Sequence, residues 1–216
     1  MNCHRFIREY WYYIGGIIFV VLAFITALFG GEMDPVRRIT IVLFMSMLLH
    51  QFEEYACPGG FPMYWNIGAC GEKENYDRFP LNKNSSAFSN VSFWLVYIAS
   101  IIWSDFYLLG TITAYMAFGQ LIMHGIMINK KTGRRYNPGM GSLLVMIPVS
   151  IYYIWYVETH VSVPAWNWLA ALICVPPCLM MLLVIPLKKL EDINSVYPWS
   201  KEEIKRFHSE EKLGIK

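Results

Sequence analysis

Residues 106–128 read FYLLGTITAYMAFGQLIMHGIMI, a run with no Asp, Glu, Lys or Arg. Its length matches the roughly 20 apolar residues that a helix needs to cross the hydrocarbon core of a bilayer. Five further runs of similar character lie at 12–29, 39–55, 87–103, 142–157 and 166–187. The chain has 216 residues, 56% of them hydrophobic and only 16% charged, with a mean hydropathy of +0.36. A soluble domain of this size carries about 25% charged residues, and one small core cannot hold the apolar excess. Lipid is the second apolar environment. The expected fold is therefore all-α: a polytopic transmembrane helical bundle of six spans within residues 1–190, followed by a polar tail over 191–216. Arg5 and Arg8 ahead of a long first run point to an uncleaved first span rather than a secretory signal.

Charge gives the orientation. If alternate connections face the same side, all of the 18 basic residues except Arg37 and Arg38 fall on one side. The positive-inside rule makes that side cytoplasmic and places both termini there. An integral protein of the plasma (cytoplasmic) membrane is expected, with the lipid bilayer as partner. The net charge of +2 is accounted for by orientation, so no nucleic-acid partner is implied. Cys57 and Cys70 lie on the reducing side, while Cys174 and Cys178, one turn apart around Pro176-Pro177, read as small apolar residues.

Neither an internal repeat nor a low-complexity tract interrupts the chain. The longest connection, 56–86, is rich in Gly, Pro, Asn and aromatic residues, which suggests a re-entrant or lid-like cytoplasmic loop. Its Asn84-Ser85-Ser86 end resembles a helix N-cap region. Asn84 and Asn90 begin N-x-Ser patterns, but glycosylation would require the opposite side of the membrane. The tail is expected to lie solvated or on the surface, with a capping box at Ser200 and Glu203.

Polar groups inside apolar runs carry the functional signal. His50, Glu53 and Glu54 are spaced i, i+3, i+4, hence on one helix face, about 18 Å into the second run at 1.5 Å per residue. His124, with Gln120 one turn above it, reaches a comparable depth in the fourth run, and Asn90 lies about one turn into the third. Ionisable groups in a membrane usually face the bundle interior and pair there. Two imidazoles and two carboxylates suit a divalent transition metal, zinc or iron. His50, Glu53, Glu54 and His124 are the candidate ligands. Whichever glutamate is left over would serve as general base, with Asn90 orienting the substrate. The plainer alternative is a headgroup-solvated helix end facing an interhelical histidine.

His50-Gln51-Phe52-Glu53-Glu54, followed by Pro58-Gly59-Gly60-Phe61, resembles the HXXEE-motif family of multi-spanning membrane proteins over about residues 39–144. Asn90, His124, Asn129 and Tyr136-Asn137-Pro138-Gly139 resemble its later polar positions. That resemblance implies a membrane enzyme and names no reaction. Together the readings suggest a membrane metallohydrolase acting on an amphiphilic or lipid-like substrate, with Glu53, Glu54 and Asn90 catalytic. Asn129, Tyr136 and Asn137 would position the substrate. A proton- or cation-coupled transporter and a non-catalytic scaffold are the competing classes.

Overall fold

The computed structural model describes residues 3–215, which among them form helices and irregular connections and no strand. Six long helices carry the fold. Helix α1 is Cys3–Phe29 and α2 is Pro35–Tyr55. A single turn, α3 (Phe61–Met63), runs on as a wide π turn, Tyr64–Ala69. Helix α4 is Lys83–Ile102, and α5 spans Tyr107–Thr132. Helix α6, Leu143–Tyr156, continues as the π turn Val157–Val161, and α7 is Ala165–Leu190. Two single turns follow, α8 (Lys201–Ile204) and α9 (Ser209–Lys212).

Local chemistry sets the helix ends. Asp34 accepts a hydrogen bond from the Arg37 backbone N–H at 3.0 Å, and Pro35 occupies the first turn of α2, where no donor is needed. Asn82, two residues ahead of the expected cap stretch, begins α4 through a reciprocal box with Ser85. The box expected at Ser200 and Glu203 is present: each side chain accepts the other residue's backbone N–H.

Helix α2 occupies the middle, packed against α1, α4 and α6. Leu43, Met47 and Leu48 are sealed within it. A helix buried around its whole girth needs no amphipathic stripe. The outer helices do the reverse and turn large apolar side chains outward. Phe24 and Leu28 of α1 are 65% and 72% exposed, and Leu172 and Ile173 of α7 are 62% and 64%. Apolar surface this extensive is foreign to a water-facing monomer.

Four helices, α1, α4, α5 and α7, are long and apolar enough to cross a membrane. The sequence suggests six such segments, and the other two, α2 and α6, differ for a visible reason. Helix α2 carries Arg37, Arg38, Glu53 and Glu54, and the 143–161 segment ends in Glu158 and His160. Neighbouring helices sheathe the inner part of α2, so Glu53 and Glu54 meet protein rather than lipid.

The connection 56–86 and the tail form one cap over the end of the bundle where α2 and α5 finish. Asn66 staples the connection: its side chain donates to the carbonyls of Tyr76 (2.8 Å) and Leu81 (3.0 Å) and accepts the Leu81 N–H (2.9 Å). The tail folds back onto it instead of lying solvated. The Trp199 indole N–H donates to the Leu81 carbonyl at 2.8 Å, and its ring stacks on Tyr55. Arg206 reaches the Tyr55 carbonyl, and Tyr76 donates to Glu210 at 2.7 Å. Burial of Trp199 and Ile204 in the core that also holds Phe61 and Leu81 outweighs the tail's polar composition.

Candidate metal centre

Helical spacing puts His50 and Glu54 on one inner face of α2. Across from them α5 changes pitch. Residues Met123–Ile128 form a π turn, a local widening often found at functional sites, and it carries His124. The Glu54 carboxylate sits between the two rings, with Oε1 3.3 Å from His124 Nε2 and Oε2 3.8 Å from His50 Nε2. One potential ligand atom from each of the three residues falls within 4.8 Å of the others, and all three residues are buried.

The protonation pattern can be read from the partners. His50 Nδ1 lies 3.0 Å from the Gly139 carbonyl oxygen and 3.0 Å from Ser142 Oγ. A carbonyl only accepts, so Nδ1 carries the proton. Asn137 is oriented by its Nδ2, which donates to the His124 carbonyl and to Asn129 Oδ1, both at 2.8 Å. Its Oδ1 therefore accepts from His124 Nδ1, at 2.7 Å. Both imidazoles thus turn a bare Nε2 lone pair inward. Both Nε2 atoms are buried without a hydrogen-bond partner.

Two lone pairs facing a carboxylate in a sealed site are costly unless something positive joins them. A single proton would satisfy only the His124 side, because 3.8 Å is beyond hydrogen-bond range. A cation satisfies all three groups. Histidine ligands generally donate their other ring N–H to a carbonyl, carboxylate or water, as both do here. Two imidazoles and one carboxylate suit zinc or iron and leave coordination positions open. The donor set fits the group.

Glu53 stands outside this trio. Its Oε1 accepts the Gly141 N–H at 2.9 Å and the Tyr136 hydroxyl at 2.5 Å, and its Oε2 accepts the Ser142 N–H at 2.6 Å. The carboxylate clamps segment 136–142 to α2 with three donors on it, and it lies outside the group formed by His50, Glu54 and His124. Burial, joined by the Glu53 carboxylate, pushes the Tyr136 hydroxyl far above its ordinary pKa, so it stays a donor. Tyr136, Asn129 and Asn137, expected beside a substrate, are here tied to Glu53, to Asn137 and to His124 respectively.

Asn90 lies on the other side of the trio, where it accepts from the Gln51 side chain at 3.2 Å. It lines a cavity that also touches His50 and Glu54, with a water-accessible volume of ≈ 40 Å³. That is room for a water or a small polar group.

Sequence reasoning missed Ser142 and Gly141, and gave Gly139 no role of its own. Gly139 has φ +99°, and a Cβ there would fall 2.6 Å from His124 Cε1 and 2.9 Å from Glu54 Cγ. At Gly141 it would fall 2.8 Å from Glu53 Oε1. The available signal was Gly-Met-Gly directly after Asn-Pro, a stretch where the backbone must approach other groups closely.

Comparison with known families gives a match over residues 41–153 to one described as "Protein of unknown function with HXXEE motif". The matched stretch holds His50, Glu54, His124 and the residues that orient them. No curated protein and no solved structure matches the chain.

Proposed function

We propose a metal-dependent function for this chain, which belongs to the HXXEE-motif family and carries the motif as His50, Glu53 and Glu54. One observation carries the reading. Two buried Nε2 lone pairs converge on the Glu54 carboxylate with no donor between them. His50, Glu54 and His124 would hold a divalent transition metal, zinc first and iron second. Gly139, Ser142 and Asn137 keep the rings turned inward through their Nδ1 hydrogen bonds.

When bound, such an ion supplies Lewis acidity and brings the pKa of a ligated water toward about 7. The best-fitting reaction class is hydrolysis of an amphiphilic substrate at the cytoplasmic face. Asn90 borders the cavity from which a substrate carbonyl would approach, and the cap formed by Phe61, Tyr55 and Trp199 limits access from bulk water. The reading includes six crossings, with α2 sheathed by its neighbours and α6 turning Leu144, Ile151 and Trp155 outward, and both termini on the cytoplasmic side of the plasma membrane.

Metal analysis of the full chain purified in detergent tests the proposal. About one equivalent of zinc or iron is expected, lost in His50→Ala and in His124→Ala. Protein that stays metal-free after titration with zinc and with ferrous ion would overturn it, leaving a proton-coupled carrier or a scaffold.

A further inference from the structure

We infer that the cavity beside His50 and Glu54 is the headgroup site for an uncharged, hydrogen-bonding amphiphile that enters sideways from the bilayer between α5 and α7. The inference deepens the metal-site reading and rests on it for the reaction, though not for the binding.

Four observations support it. First, Ser89 is fully buried, lines the cavity, and its Oγ has no hydrogen-bond partner. A buried hydroxyl left unpaired is costly, and a ligand oxygen or N–H would satisfy it. Second, the partly exposed Gln120 carboxamide lines the same cavity. With Asn90 these groups form a neutral hydrogen-bonding wall.

Third, no Lys or Arg lines the cavity, and its one charged group is the Glu54 carboxylate. Phosphate recognition draws on cationic side chains or helix N-termini. A headgroup with an ester, amide or hydroxyl suits this wall, which offers an anionic one no cationic side chain. Fourth, the mouth is apolar. Gln120, Met123, Leu183 and Leu187 are the partly exposed lining residues on α5 and α7. Around them Ile122 and Ile126 on α5 and Val184 and Ile185 on α7 face outward. A passage rimmed by such residues opens to acyl chains rather than to water.

Photolabelling tests this. The full chain in phosphatidylcholine nanodiscs is irradiated with two diazirine probes of equal chain length, a fatty N-hydroxyethyl amide and an alkyl phosphate. Peptides from α4, the end of α5 and residues 183–187 should take up the amide probe about tenfold more than the phosphate probe. Ser89→Ala and Gln120→Leu should each weaken amide labelling about tenfold, the worth of one hydrogen bond. Ser89→Ala should melt no lower than wild type, because the deleted hydroxyl has no partner to lose. Neither residue is a ligand, so metal content should be unchanged. Equal labelling by both probes, labelling spread over the outer face of α1, or insensitivity to both variants would overturn the inference. Selective labelling of a metal-free protein would sink the metal reading alone. Metal-loaded protein without selectivity would sink this inference alone.

Discussion

The imidazoles of His50 and His124 meet edge to face, with ring centroids 4.8 Å apart and 89° between their planes. Each turns Nε2 toward the same carboxylate. Left unoccupied, the centre keeps two buried lone pairs facing that carboxylate. Ligand that binds only the folded protein stabilises it by about 4 kcal/mol at 1,000 times its dissociation constant. Thermal unfolding with saturating zinc should therefore exceed unfolding in chelator by that order. His50→Ala and His124→Ala should erase the difference. Identical melting of wild type in zinc and in chelator would sink the metal centre.

The two adjacent acids should separate cleanly. Glu53→Gln weakens charge-assisted bonds to two backbone N–H groups and the Tyr136 hydroxyl, a loss of about 2 kcal/mol, yet it should keep the metal. Glu54→Gln should do the opposite. Its metal affinity should fall by more than the 10–100-fold typical of groups that merely orient ligands, with little change in the stability of the chelated protein. Isothermal titration and thermal melts on both variants check this, and a swapped pattern would contradict the geometry.

Backbone crowding gives an independent test. Gly139→Ala would drive a methyl group into His124 and Glu54, and metal affinity should fall about 10–100-fold. Gly133 also has a positive φ, but it faces open space. Gly133→Ala should cost about 1 kcal/mol of stability and leave affinity unchanged. Equal effects of the two alanines on affinity would mean that segment 136–142 does not shape the site.

Legibility in the sequence followed physical range. Helical spacing reveals that His50 and Glu54 share a face, because i and i+4 positions meet on any helix. Depth along each run suggested that His124 would lie level with them. The role of Glu53 was not legible, since a carboxylate one residue from a candidate ligand looks like another until the chain 88 residues on is seen to supply donors to it. Ser142 was hidden for the same reason. Polar composition misled about the tail, where Trp199 and Ile204 hold more weight than the surrounding charges.

Attachment of the tail should depend on acidity in a definable window. The Glu203 carboxyl is pushed up by burial. Lys83 at 2.8 Å, the Ser200 N–H and the Tyr12 hydroxyl more than offset that, so its pKa lies below the ordinary carboxylate range. A depressed pKa adds stability that is full above the unfolded value, about 4.3, and is lost as pH falls through the folded value. Hydrogen exchange over residues 197–213 should stay slow from neutral pH down to about 4.3 and quicken below it. In Glu203→Gln exchange should be fast at neutral pH as well. Loosening of the wild-type tail already at pH 6 would rule this contact out as its anchor.

Thiol labelling decides which face of the membrane holds the centre. Cys57 and Cys70 are exposed on the connection that caps the end holding His50, Glu54 and His124, while Cys174 and Cys178 are half-buried within α7. If the basic connections face the cytoplasm, a membrane-impermeant maleimide should label Cys57 and Cys70 in inside-out vesicles and spare them in intact cells. A Cys3→Ser background keeps the signal to these two sites. Cys174 and Cys178 should resist in both preparations, because lipid covers the helix that carries them. Labelling of Cys57 and Cys70 in intact cells would invert the topology and place the His50–Glu54–His124 centre at the outer face.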